Sequence, residues 1–235
     1  MWSDLAEKPI VAHYRRYHWA LLRRFVSPCS LSAYLSDVLN APSKRVTVGD
    51  RVEWWTQHAI GPQSSLGAYL HSSSIFQLAS GASGLTLKRE PAIWAQVYEL
   101  GQMISLHRDA GGDIQLLVCL ESPDQQSGGA FCMRTEESDI QIQLQAGDAL
   151  LFKATDILHG TTRLVVGQED SQPRRVTAVA RFFAEQNLSE TASMGVDQSI
   201  TAATLGTRSS ISRGKSCPSP AAIGQPQVTQ SEDWY

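Results

Sequence analysis

Between residues 85 and 183 the sequence falls into short blocks in which apolar and polar residues alternate, each closed by a turn signal, and that pattern predicts β-structure. The blocks are Leu85-Thr86-Leu87, Ile93 to Leu100, Gln102 to Leu106, Ile114 to Leu120, Ala130 to Met133, Ile140 to Leu144, Ala149 to Phe152 and Val176 to Phe183. Between them lie Ala110-Gly111-Gly112-Asp113, Ser122-Pro123-Asp124, Gly128-Gly129 and Gly147-Asp148. Short strands with glycine-rich corners suggest a jelly roll or barrel-like sandwich.

The N-terminal residues 1–84 read differently. Val11 to Phe25 predicts a helix with Leu21, Leu22 and Phe25 on one side. Pro28 and Ser30 followed by Leu31, Tyr34, Leu35, Val38 and Leu39 predict a second, stopped at Asn40-Ala41-Pro42. Residues 62–80 resume a helical pattern, closed by Gly81 and Gly84, and Arg45-Val46-Thr47-Val48 alternates. We expect this helical region to pack on a β core of residues 85–187. From Leu188 to residue 235 the chain is rich in Ser, Thr, Ala, Gln, Gly and Pro, which predicts a flexible tail.

Composition narrows the function. The 235 residues are 42% apolar and 18% charged, enough for one domain with a sizeable core. A net charge of −3 supplies no global positive field for nucleic acid or anionic lipid. No run of about 18 apolar residues and no signal-peptide pattern is seen, so the expected compartment is the cytoplasm, without membrane association. Cys29, Cys119, Cys132 and Cys217 lack any zinc-type spacing and read as reduced thiols, with Cys119 and Cys132 in the core.

Chemistry concentrates in a few positions. His107 and Asp109 lie two apart on extended backbone, so both side chains project to one side. An isolated triplet of this kind also arises in surface turns, and Arg108 between them points away. Together with His159, however, they would form a set of two imidazoles and one carboxylate, which suits Fe(II) and leaves positions for a chelating co-substrate and dioxygen. A 2-oxoacid would present a distal carboxylate, best gripped by an arginine with a hydroxyl neighbour. Arg175 and Thr177, two apart at the start of the last strong strand, supply that pair.

The series Tyr98, Gly101, Gln102, His107, Asp109, then Gly128-Gly129, Gly147-Asp148, Leu151-Phe152, Leu158-His159-Gly160, Arg175 and Thr177 resembles the Fe(II)/2-oxoglutarate dioxygenase superfamily, in the style of its prolyl 4-hydroxylase-like branch. The resemblance spans roughly residues 20–185. It implies a mostly β double-stranded β-helix, cupin-like and flanked by N-terminal helices, with iron on His107, Asp109 and His159. It also implies 2-oxoglutarate and O2 as co-substrates, the former held by the basic residue on the late strand and by Tyr98. One departure is the spacing from His159 to Arg175, longer than the ten or so positions common in that branch, across an inserted-looking loop from Gly167 to Pro173; Arg174 or Arg163 are alternative anchors. Asp109 stands where related halogenases carry Gly or Ala, so hydroxylation is expected over halogenation.

The expected activity is therefore hydroxylation of an unactivated C–H bond in a small molecule, a free amino acid or related metabolite, with release of succinate and CO2. The alternatives are a macromolecular hydroxylase acting on a peptidyl residue or a nucleic-acid base, and a non-catalytic metal- or ligand-binding barrel. Glu90, Trp94 and Gln96 are candidate substrate contacts. Trp54, Trp55 and His58 are candidates for framing the pocket. The basic, aromatic N-terminal stretch with Arg15-Arg16 and Arg23-Arg24 is a candidate for contacting phosphates or, as a plain alternative, an amphipathic helix with snorkelling arginines.

Overall fold

The last strand shows how the sequence makes two environments from one element. Along Arg175–Phe182 the residues Val176, Ala178, Ala180 and Phe182 join a core shared with the helices, while Arg175, Thr177, Val179 and Arg181 take the opposite face. The same alternation in Ile114–Glu121 sends Ile114, Leu116, Val118 and Leu120 toward the helices and Leu117 and Cys119 toward a second core. A sheet apolar on both faces must be covered on both.

The computed structural model describes residues 4–48, 53–167 and 172–185. In chain order the elements are α1 (Asp4–Tyr17), β1 (Trp19–Leu22), α2 (Pro28–Asn40), β2 (Ser43–Val48), β3 (Glu53–Ala59), α3 (Ser65–Leu70) and α4 (Ser73–Ser83). There follow β4 (Ala92–Tyr98), β5 (Ile104–His107), β6 (Ile114–Glu121), β7 (Phe131–Arg134), β8 (Asp139–Ile142), β9 (Ala149–Phe152), β10 (Leu158–Thr161) and β11 (Arg175–Phe182). A larger sheet has the order β1-β9-β6-β11-β4-β3-β2 and a smaller one the order β5-β10-β7-β8, every pairing antiparallel. Leu117, Leu150, Phe152, Phe131 and Met133 fill the space between the sheets, and the helices cover the outer face of the larger one. This is the jelly-roll architecture expected. Among the described residues no helix is long and apolar enough to cross a membrane.

Three local expectations need correction. The helix predicted over Val11 to Phe25 ends at Tyr17, because His18 adopts a positive φ of 62° and Trp19–Leu22 become strand β1. As strand neighbours, Leu21 and Leu22 face opposite cores rather than one helix side. Leu85 to Leu87 forms no full strand; Leu87 alone bridges to Ala184. Gly81 lies inside α4, and Gly84, at φ 70°, is the residue that ends it. Ser43–Val48 and Glu53–Ala59 contribute strands to the larger sheet, extending it beyond β4. Cys119 and Cys132 are buried as expected, and the proposed tail from 188 lies outside the described residues.

Candidate active site

The smaller sheet brings the two histidines together. His107 at the end of β5 is the register partner of His159 on β10, so the rings stand side by side with centroids 4.5 Å apart. Gly160 is required beside them: a Cβ there would come within 2.6 Å of the Ile104 carbonyl oxygen. Asp109 follows immediately, its backbone N–H donating to the Ala154 carbonyl at 3.0 Å. Its carboxylate oxygens lie 3.5 Å from His107 Nε2 and 3.9 Å from His159 Nε2. Ligand atoms of all three fall within 4.8 Å of one another.

Each ring is fixed by a carbonyl. His107 Nδ1 donates to Ser105 O at 2.9 Å and His159 Nδ1 donates to Ile157 O at 3.0 Å. A carbonyl can only accept, so the proton sits on Nδ1 and the Nε2 lone pairs face the carboxylate. Phe131 stacks on His159 at 6.0 Å and Phe152 meets it edge-on at 4.9 Å. Burial, aided by His107, lowers the His159 pKa to about 4, which keeps the imidazole neutral. Burial would raise the Asp109 pKa, yet its neighbours His107, His159 and Arg181 outweigh it and hold it low, Arg181 supplying the positive charge. Two imidazoles that present Nε2 and an ionised carboxylate form a donor set that fits a divalent ion.

Arg181 is a site residue that the sequence reading missed. It donates to Asp109 Oδ2 and to Gln115 Oε1, and its guanidinium lies 4.8 Å from the Trp94 ring centroid. Its parity with Arg175 and Thr177 on one strand was the available signal.

The three candidate anchors separate cleanly. Arg174 is bound by the Glu121 carboxylate through two nitrogens at 2.7–3.1 Å. Arg163 is exposed and donates to the Gly101 carbonyl. Arg175 is 2% exposed, donates from Nη1 to Thr161 Oγ1 at 3.0 Å, and lies 5.5 Å from the Tyr98 ring centroid. Its Nη2 has no partner and, among the described residues, no carboxylate pairs with it. Burial lowers the Arg175 pKa, as expected for an uncompensated cation, and raises that of Tyr98 to about 12. Thr177 Oγ1, both amide atoms of the fully buried Gln102, and the indole nitrogens of Trp55 and Trp94 are likewise buried without partners. Native interiors rarely leave such groups unsatisfied, and these atoms could serve a bound ligand.

The other candidates are distributed unevenly. Trp94 and Gln96 lie half-buried on the inner face of β4, whereas Glu90 is exposed ahead of that strand and makes no hydrogen bond or ion pair among the described residues. Trp55 stacks on Tyr98 at 6.1 Å. Trp54 carries the Arg45 guanidinium at 3.9 Å, and His58 Nδ1 lies 3.3 Å from the Ala41 carbonyl oxygen, both on the outer face. Asp148 is structural, accepting from Arg23, from the Arg24 N–H and from the Gln145 N–H. Arg15 donates to the Gly81 carbonyl on α4, tying one of the N-terminal arginines to the fold.

No family model matches the sequence, nor does any curated protein. Solved structures do resemble the fold. A prolyl-4-hydroxylase from Pseudomonas putida aligns at TM-score 0.63 and 14% identity, over 76% of this chain and 99% of that one. A prolyl hydroxylase from Trichoplax adhaerens, solved with a peptide fragment of the hypoxia inducible factor oxygen degradation domain, aligns at 0.63 and 16%, over 76% and 89%. HygX from Streptomyces hygroscopicus, solved with nickel, 2-oxoglutarate and hygromycin B, aligns at 0.61 and 11%, over 76% and 88%.

Proposed function

We propose that this chain is an Fe(II)- and 2-oxoglutarate-dependent oxygenase that hydroxylates an unactivated C–H bond of a small polar molecule. The observation that carries the reading is the coexistence, in one interior, of a His107, Asp109 and His159 cluster with a buried Arg175 that has no carboxylate partner among the described residues. The likeness of fold to oxygenases, including one solved with 2-oxoglutarate, supports it.

His107, Asp109 and His159 would hold the ion, and a bound ferrous ion with 2-oxoglutarate and dioxygen supplies the oxidising power for C–H cleavage, with succinate and CO2 as co-products. The protein's own part is positional. Arg175 Nη2 and Thr177 Oγ1 offer charge-assisted and neutral donors to a distal carboxylate, and Thr161 holds the guanidinium in place. The Ser105 and Ile157 carbonyls keep both imidazoles in the ligating tautomer, and Arg181 orients the Asp109 carboxylate and keeps it ionised. Phe131, Phe152 and Leu150 exclude water from the buried side.

Anaerobic addition of Fe(II) and 2-oxoglutarate to the purified chain should give a weak visible charge-transfer band, absent in His107→Ala. A folded wild type without that band defeats the reading and leaves a non-catalytic barrel. Succinate release with any substrate eliminates that barrel. A second reading, hydroxylation of a peptidyl residue, is favoured by the similarity to the Trichoplax adhaerens hydroxylase and its peptide. Peptide-dependent succinate release would select it.

A further inference from the structure

The strand register builds a polar row across the inner face of the larger sheet that metal and co-substrate binding leave unexplained. Lys44 on β2 stands opposite Gln57 on β3, Gln57 opposite Gln96 on β4, Gln96 opposite Thr177 on β11, and Thr177 opposite Cys119 on β6. Directly opposed residues in antiparallel strands project to the same side. That side is the one carrying Trp55, Tyr98, Arg175 and Arg181. The row runs outward from the co-substrate donor Thr177, three strand spacings of about 4.8 Å each to Lys44.

The members grade in exposure and in unmet bonding capacity. Thr177 is fully buried, Gln57 and Gln96 are half-buried, and Lys44 is exposed. Neither glutamine amide makes a hydrogen bond, and Lys44 makes no ion pair, among the described residues. Two adjacent amides, each with a donor and an acceptor, match a group that also carries both. A cation at the outer end matches an anion. Among the described residues the carboxylates on this face lie off the row: Asp109 is paired with Arg181, and Glu53 accepts from the Ser105 N–H and hydroxyl.

We infer that Gln57, Gln96 and Lys44 form the substrate platform, and that the substrate is an N-acylated amino acid: a neutral amide seated on the two glutamines and a carboxylate reaching Lys44. This rests on the oxygenase reading above and names the substrate class for that same site. A free amino acid, which would set an ammonium rather than a neutral amide against the two glutamines, is the poorer fit.

The test uses the full chain with Fe(II) and 2-oxoglutarate and three probe sets: N-acetyl amino acids, the matching free amino acids, and the matching N-acetyl amino acid amides. Succinate formation and the perturbation of the anaerobic charge-transfer band are read for each. The N-acetyl acids should respond at least tenfold above the free amino acids. Gln57→Leu and Gln96→Leu should each lower that response tenfold or more while the band with 2-oxoglutarate alone persists. Lys44→Ala should erase the preference for acids over their amides, and Arg45→Ala, on the outer face of the same strand, should not. Equal response to free amino acids, no response to the N-acetyl acids, or an unchanged response in both glutamine variants overturns the proposal. Absence of the band in wild type would instead defeat the oxygenase reading beneath it.

Discussion

Arg175→Met separates the cost of a buried charge from its use. The Arg175 guanidinium is 2% exposed with one hydrogen bond, to Thr161, and no carboxylate partner among the described residues, so its desolvation is poorly compensated by the chain itself. Replacing a buried ionic group with an apolar side chain of similar volume typically stabilises by about 1–4 kcal/mol. Methionine follows the same path through the core without the charge. For a domain of this size each kcal/mol moves Tm by about 2–4 °C, so the variant should melt several degrees higher than wild type when both are free of 2-oxoglutarate. The ligand response should move the other way. Losing the charge-assisted bonding of Arg175 Nη2 to a carboxylate costs about 3 kcal/mol, or about 150-fold in affinity. With redox-inert Mn(II) present and 2-oxoglutarate at 100 times the wild-type Kd, wild type gains about 2.7 kcal/mol and the variant only about 0.3 kcal/mol. Calorimetry with and without 2-oxoglutarate measures both arms. A variant that melts lower than wild type in the absence of 2-oxoglutarate and still gains the full ligand shift would refute the assignment.

Other perturbations discriminate among the remaining roles. Asp109→Ala should abolish succinate formation and weaken Mn(II) binding at least tenfold by titration, because the only carboxylate of the cluster is gone. Arg174→Ala should leave 2-oxoglutarate affinity unchanged and alter stability by no more than about 1 kcal/mol in urea denaturation, its partly exposed pair with Glu121 being solvent-screened. Gly160→Ala should cost about 1–3 kcal/mol and weaken metal binding together, since the added Cβ pushes β10 from β5 at the Ile104 carbonyl. Arg181→Met should lower Mn(II) affinity without removing a ligand atom, by releasing the Asp109 carboxylate from its donor.

What could be read from the chain depended on how local the information was. His107 and Asp109 were legible as a pair because they lie two apart at the end of a predicted strand and stand in series with His159, although β5 itself ends at His107, and β9 was legible residue for residue as an uninterrupted apolar block. β10 went unread because Leu158–Thr161 is four residues containing a glycine, without alternation, and owes its strand character to pairing with β5 and β7. Trp19–Leu22 fits either period, and it took the backbone turn at His18 and the partner β9 to decide it. Arg175 was preferred as anchor for its parity with Thr177, but Arg174 stayed an alternative because nothing local showed that Glu121 engages it. The proposed platform residue Gln57 was invisible in the sequence because nothing local says that β3 docks beside β4.

β5 is a terminal strand of the smaller sheet, with β10 as its single strand neighbour among the described residues and a register irregularity after the first pair. A strand held so lightly frays easily, and the two imidazoles that meet across that seam belong one to each side of it. An ion gripped by both would act as a rivet through the seam, so loading the metal should slow amide hydrogen exchange in Ser105 to His107 more than in the interior β6. Stripping the metal should loosen that border of the sheet first, making it the place where the starved protein begins to open.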